Sequence, residues 1–379
     1  MTRASLRALA GAGACVLLTA IAGCGGDDDT PPPVDSGARD GAGADAGAGV
    51  DASAPLDASA PLDAGTPLDA GTPLDAGTDA GLPTCSGPEG LYQPGSCTDL
   101  ADGVMLFTPT YPLWSDGATK ERFIWLPPAT TIDATNPDRW LFPVGTRAWK
   151  TFSRDGLRLE TRLLEKISPE FGSASWRARV FLWSATQDSV TESTTGAVDY
   201  LGTTHDVPPR AMCARCHGND ATDMLLGFVA IQLSTPTSAT SGLSLSDLNT
   251  MGLLVPTIAP ADADVPGDST TQAALGYLHA NCGGCHGGDG PFAGMDLTVP
   301  VAATTPAETR TYMTAVGVAS SFTRPGILGR VVPGNPDASA VHYRMATRVV
   351  ADQMPPVATE MVDDTAVAAV RAWIAALPP

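Results

Sequence analysis

Two copies of the pentapeptide Cys-x-x-Cys-His, Cys213-Ala-Arg-Cys216-His217 and Cys282-Gly-Gly-Cys285-His286, lie 69 residues apart in a chain with only five histidines. Each copy sets two thiols three residues apart with an imidazole directly behind them. Thiols at that spacing can close onto the two vinyl groups of one porphyrin, and the adjoining histidine then sits beneath the iron as its fifth ligand. The pattern predicts two covalently attached haem c groups, with thioether bonds at Cys213, Cys216, Cys282 and Cys285 and axial ligation by His217 and His286. Zinc accounts for the same residues less well, because adjacent Cys and His side chains seldom reach one tetrahedral ion and a fourth ligand is still needed. A thioredoxin-like dithiol needs a strand-to-helix setting and has no trailing histidine.

The N-terminus bears on where such chemistry takes place. Arg3 and Arg7 precede an apolar stretch from Ala8 to Ala22, too short to span a bilayer as a mature helix and suited to a signal-peptide core. The run Ile21-Ala22-Gly23-Cys24 resembles a bacterial lipobox, which implies removal of residues 1–23 and lipidation of Cys24. The expectation is an exported protein anchored by lipid at the cell envelope, on the periplasmic face or at the outer membrane or cell surface.

After Cys24 the composition turns to Gly, Ala, Pro, Thr and Asp, and a six-residue unit, Asp-Ala-Ser-Ala-Pro-Leu or Asp-Ala-Gly-Thr-Pro-Leu, recurs between Asp51 and Thr78. One leucine in six residues cannot build a core, so 24–84 reads as a disordered, self-repelling tether. Residues 25–84 hold 12 aspartates against one arginine, which is −11 of the formal charge of −19. The acidity is mostly tether. No basic stripe suggests a nucleic-acid partner.

The remainder, from Cys85 onward, is long enough for more than one core. Six of the seven tryptophans fall between Trp114 and Trp183, among β-branched and aromatic runs. Residues 122–126, 148–152, 157–164 and 177–183 read as strands, with Ser153-Arg154-Asp155-Gly156 as a hairpin turn. Cys85 and Cys97 enclose a turn-rich loop and are the candidate disulfide of an oxidising compartment. The chain is therefore α+β: a β-rich domain at 85–205, a first haem attachment region at 206–265, and a mainly helical domain at 266–379.

In that last domain a helix from Thr271 to Asn281 runs into the second motif, Pro336-Asp337 starts a helix through Arg348, and Asp363-Asp364-Thr365 opens a final helix. Val367, Val370, Trp373, Ile374 and Leu377 share one face of it. Gln353-Met354-Pro355-Pro356 lies between the second and third helices. Helix, Cys-x-x-Cys-His, long wrap, Met-Pro loop and aromatic-bearing last helix together resemble a class I cytochrome c domain over about residues 270–379. The resemblance implies Met354 as the distal ligand to the His286 iron. Met345, mid-helix, is its rival, while His279 and His342 read as packing or surface residues.

The first motif departs from that pattern. Val207-Pro208-Pro209 runs almost directly into it, so no regular helix leads in. Ser244-Leu245-Ser246-Asp247 reads as a capping box opening a short helix to Leu254. The distal candidates are Met251, His205 and Met224, and an open or water-bound site stands beside them. The stretch from Leu113-Trp114-Ser115-Asp116-Gly117-Ala118 to this motif resembles the β-rich front half of bacterial proteins known only as cytochrome-domain or haem-binding, which carries no activity with it. As a whole the chain resembles a bacterial di-haem c-type cytochrome lipoprotein. That implies single-electron transfer between redox partner proteins of the envelope, with a peroxidase-like di-haem enzyme or a haem-bearing docking module for a dehydrogenase as the alternatives.

Overall fold

Strand runs that alternate in character assemble in the computed structural model into a six-stranded antiparallel sheet of order β1-β2-β4-β5-β6-β7. The structure describes residues 84–379 except 219–222, 224, 235–241, 288–291, 293 and 358, and the side chains of Arg215 and Cys216. The lipidation candidate Cys24, the tether and Met224 lie outside the described residues. The strands are β1 (Met105–Phe107), β2 (Thr119–Trp125), β4 (Arg147–Arg154), β5 (Leu157–Lys166), β6 (Trp176–Trp183) and β7 (Val190–Ser193). Two further short strands, β3 (Ile132–Asp133) and β8 (Leu254–Val255), pair in parallel. The four strands expected from sequence are present as β2, β4, β5 and β6. The turn joining β4 to β5 has positive φ at Asp155 (52°) and Gly156 (80°), as a tight two-residue hairpin requires.

The sheet is covered on both faces. One face carries Phe123, Trp149, Leu163 and Phe181, which pack under Leu91 and Tyr92 of the N-terminal segment. A disulfide between Cys85 and Cys97, with Cα atoms 5.6 Å apart, closes that segment on itself. The opposite face is divided. At one end Ile124, Ala148 and Trp176 join Phe107, Trp140 and Phe142 in a core completed by Leu225, Phe228, Leu245, Leu248 and Leu254. At the other end the same face carries charged residues. The region after the first motif thus shares a core with the sheet.

Among the described residues of that region α1 (Cys213–His217), α2 (Ala230–Leu233) and α3 (Leu245–Thr250) are each less than two full turns. Helices this short do not stand alone in water. Ser244 caps α3 through a reciprocal capping box with Asp247, as the sequence suggested. The helix ends at Thr250 and not at Leu254, because Gly252 turns the chain at φ 68° and Leu254 joins β8.

The C-terminal helices are α4 (Ser269–Asn281), α5 (Arg310–Thr314), α6 (Ala340–Ala346) and α7 (Asp364–Ala376). Leu275 and Leu278 of α4 meet Val370, Trp373 and Ile374 of α7 in a second core. The helix expected from Pro336 through Arg348 is broken. A 3-10 turn, Pro336–Ala338, gives way at Ser339, whose backbone is extended (φ −97°, ψ 121°) and whose hydroxyl donates to Asn335 O and accepts from Val332 N, both at 2.8 Å. A side chain hydrogen-bonding its own backbone neighbourhood competes with the helix there. Among the described residues no helix is long and apolar enough to cross a membrane.

One buried ion pair holds the post-motif segment to the sheet. Lys166 is 1% exposed and its ammonium pairs with Asp223. The same carboxylate accepts from Trp176 Nε1 and from Phe142 N, both at 3.0 Å. Removing one partner leaves a buried charge uncompensated, so Asp223→Ala is expected to cost about 3–5 kcal/mol in urea unfolding, whereas Lys166→Met with Asp223→Leu comes out near neutral. A single-substitution cost under about 1 kcal/mol would show that the pair is not the anchor.

Candidate functional site

α4 delivers the second motif. Asp268 caps it by accepting from Thr271 N at 2.8 Å, and its last residue, Asn281, precedes Cys282 directly. The motif continues as tight turns in which Cys285 N and His286 N both donate to Cys282 O, at 3.1 and 2.7 Å. Cys282 and Met354 line one small cavity together with Tyr277, Met345, Arg348 and Asp363. The thiol that the cytochrome resemblance gives to the porphyrin and the thioether that it gives to the iron are therefore neighbours in space. Burial pushes the Cys282 thiol up to about 12, so it is fully protonated at neutral pH.

His286 is half-buried and stacks on Phe292, with ring centroids 5.1 Å apart. Its Nδ1 is buried and makes no hydrogen bond. Burial, aided by Arg344 and Arg330, lowers its basicity; the Met295 backbone pulls the other way, but no hydrogen bond of normal geometry reaches Nδ1. A neutral imidazole with an unused nitrogen has the chemistry of a metal ligand.

Met354 is held by its loop. Its N–H donates to Arg344 O at 2.9 Å. Before it, Asp352 accepts from Tyr343 Oη at 3.1 Å and pairs with Arg324, while Arg344 Nε donates to Asp352 O at 2.7 Å. Beyond it, Thr359 Oγ1 donates to Pro355 O at 2.9 Å. The cavity has room for about one water-sized sphere, about 10 Å³. A porphyrin therefore requires the Met354 loop to stand further from Cys282. That loop is held by hydrogen bonds, whereas Cys282 follows the packed α4. With this allowance, the donors fit a c-type haem: Cys282 and Met354 on the cavity, and, outside its lining, Cys285 and the neutral His286 imidazole with its buried unpaired nitrogen.

Sequence reasoning missed the residues that frame this cavity. Burial first, then the facing carboxylate of Asp363, raises the Tyr277 phenol above its ordinary value. Arg348 donates to Met345 O (3.1 Å), Thr347 O (2.6 Å) and Met361 O (2.8 Å), while its Nε is buried without a partner. Only the i, i+4 spacing of Tyr277 and Asn281 on α4 hinted at a shared face. Met345 is buried in α6. His342 is also buried there, and His279 accepts from Val299 N at its Nδ1, 3.1 Å.

The first motif forms the single turn α1, entered through a 3-10 turn, Arg210–Met212, instead of a regular helix. Two of its distal-ligand candidates are placed elsewhere. The His205 ring is buried, stacks on Phe152, and its Nε2 lies 3.0 Å from Glu160 Oε1. Ligation would have to break that contact. Burial opposes ionisation of Glu160, but Arg162 and His205 outweigh it and hold the carboxyl below its ordinary value. Met251 ends α3 and is 54% exposed.

The helical part packs on the segment that precedes β2. Asn281 Oδ1 accepts from Trp114 N at 2.7 Å, and Asp116 accepts from the backbone of both Glu360 and Met361 at 2.9 Å. Tyr111 packs so closely on α4 that a Cβ at Gly276 would lie 2.1 Å from its ring. Asp206, seven residues before Cys213, is the main cause of the raised Glu360 carboxyl. Among the described residues no group of three or more His, Cys, Asp and Glu side chains is arranged to hold a bare metal ion. No family model, no curated protein and no solved structure matches this chain.

The half-buried His279 supplies a pH prediction. Burial lowers its basicity to about 4 from an ordinary 6.5. Above pH 6.5 the ring is neutral folded or unfolded; below it the unfolded chain takes up a proton that the folded ring refuses. Stability is thus lost as pH falls from about 6.5 to about 4. In His279→Asn, whose Oδ1 can accept from Val299 N, this part of the decline should vanish from thermal midpoints recorded across that window. A decline of unchanged steepness would contradict the assignment.

Proposed function

We propose that this protein is an exported, lipid-anchored c-type cytochrome that passes single electrons between redox partners of the cell envelope. One observation carries the reading: Cys282 and Met354 share a cavity while the nearby His286 keeps a buried, unpaired ring nitrogen. A haem at each motif would supply an iron that changes charge by one unit without bond rearrangement. The role of the chain is to hold, orient and shield. At the second motif Cys282 and Cys285 would form the thioethers, His286 would ligate from the near side and Met354 from the loop. At the first, Cys213, Cys216 and His217 would play the corresponding parts.

A thioether is a soft ligand that favours Fe(II), so a His/Met pair raises the reduction potential over a His/water or His/His pair. The Asp352 contacts to Tyr343, Arg324 and Arg344 support this by fixing the chain two residues before Met354. Lipidation at Cys24 followed by the acidic tether would keep the protein near a membrane without spanning it.

A second reading, a redox enzyme that meets a small oxidant such as peroxide at the first motif, is favoured by the engagement of His205 with Glu160 and the exposure of Met251. Both leave the sixth position of that iron without these two ligands. A high-spin component that vanishes when cyanide is added would support it, and a fully low-spin protein would remove it.

The electron-transfer reading is tested by spectro-electrochemistry of the purified exported chain. Two reversible one-electron waves are expected, and Met354→Ala should lower one midpoint potential by on the order of 0.1 V while leaving the other in place. An unchanged pair of potentials would exclude Met354 as a ligand. Failure of either centre to cycle reversibly would exclude electron transfer through two haems.

A further inference from the structure

The charged half of the divided sheet face has an arrangement that the electron-transfer reading does not use. Register pairing sets Arg122 of β2 opposite Lys150 of β4, and Lys150 opposite Arg162 of β5. Side chains directly opposite in an antiparallel pair project from the same face with Cβ atoms roughly 5 Å apart, and like charges so placed repel. Three cations therefore stand in line across three strands, in a protein of net charge −19. Lys120, one register row away, lies next to them.

Their counter-charges are incomplete. Glu160 neutralises Arg162, accepting from its Nε at 2.8 Å and Nη2 at 2.6 Å. Lys120 donates to Leu113 O and, at 2.7 Å, to Ser115 Oγ. Arg122 is 6% exposed, reaches only Lys120 O at 3.5 Å, and has its Nη2 buried with no partner. Among the described residues Lys150 Nζ has no hydrogen-bond acceptor; it lies 5.2 Å from the centre of the Phe152 ring, and the Glu160 carboxylate opposes the cations around it. Burial and the neighbouring cations hold Lys150 well below the ordinary lysine value, and burial lowers Arg122 to about 10. Such a cluster is costly unless an anion completes it. Its repulsion is the kind of local destabilisation that folded proteins keep at binding sites.

We propose that Arg122, Lys150 and Arg162 form a binding site for carboxylate or another small oxyanion on this sheet face. An anion here would receive charge-assisted hydrogen bonds from the unused Arg122 Nη2 and Lys150 Nζ. The site adjoins the first motif: the 3-10 turn that runs into Cys213 packs against β6, whose Val180 is the register partner of Arg162. Two sources offer this chemistry, the carboxylates of a porphyrin attached at Cys213 and Cys216, or a free small dicarboxylate. The site itself stands independently of the haem reading.

The test compares three full-length forms in anion-poor buffer: the native chain, Lys150→Met, and Cys213→Ala with Cys216→Ala, which can attach no porphyrin there. Succinate is the probe, followed by calorimetry and by thermal midpoint. For a free dicarboxylate, succinate stabilises the native and the double-alanine forms alike, and Lys150→Met weakens binding by on the order of tenfold. For porphyrin carboxylates, only the double-alanine form binds succinate, and Lys150→Met lowers the reduction potential of the first centre. Introduced into the double-alanine form without succinate, where the site is empty in both cases, Lys150→Met leaves the chain at least as stable, since a like-charge contact is removed, so misfolding does not mask the result. Lys150→Arg should retain binding. Absence of succinate binding in both the native and double-alanine forms overturns the proposal. A tight site whose affinity ignores Lys150→Met overturns it equally.

Discussion

The ion pair between Lys166 and Asp223 is the contact on which the first motif region depends. Among the described residues from Met212 to Thr250 no helix is longer than six residues, and segments that short take their shape from what they pack against. Asp223 meets Lys166, Trp176 and the backbone of Phe142 at one point on the sheet. Leu225 and Phe228 then enter the apolar end of the same face. A buried pair of this kind adds little net stability over an apolar substitute, but it selects one register for the segment it holds. What it fixes is where the chain after His217 returns to the sheet.

A second set of contacts ties the helical part to the sheet. Pro112 to Asp116 runs between them: Asn281 grips its backbone from the end of α4, and Asp116 accepts two backbone N–H groups from the loop beyond Met354. Trp114 Nε1 adds a bond to Met361 O at 3.2 Å. The residue that leads into Cys282 and the loop that carries Met354 are both referenced to the same five-residue stretch. That common reference keeps a thiol and a thioether on the lining of one cavity. It also accounts for a segment with few apolar contacts being held by carboxylate and amide side chains.

Much of this was legible in the sequence where local chemistry decides the outcome. The alternation in 157–164 and the Asp155-Gly156 turn are two-residue rules, and both appear in β4 and β5. The end of α4 at Asn281 and the acidic start of α7 at Asp363 were legible, whereas the Asp268 cap that starts α4 at Ser269, two residues before Thr271, was not. The errors lie where distant residues decide. Nothing near Ser339 signals that its hydroxyl bridges Val332 and Asn335 and so breaks the helix. His205 looked available as a ligand because Glu160, 45 residues earlier, is its partner only after the sheet forms. The row of Arg122, Lys150 and Arg162 was invisible for the same reason, since each residue sits in a different strand and only register aligns them. The two motifs share one spacing without disclosing the differing surroundings into which they fold.

The central claim is that both motifs carry covalent haem, and peptide mass analysis of the exported protein tests it most directly. After proteolysis, the peptide holding Cys213 and Cys216 and the peptide holding Cys282 and Cys285 should each be heavier by one haem, with no free thiol left to alkylate. Unmodified peptides whose thiols all alkylate, from protein matured in cells able to attach haem c, would contradict the account.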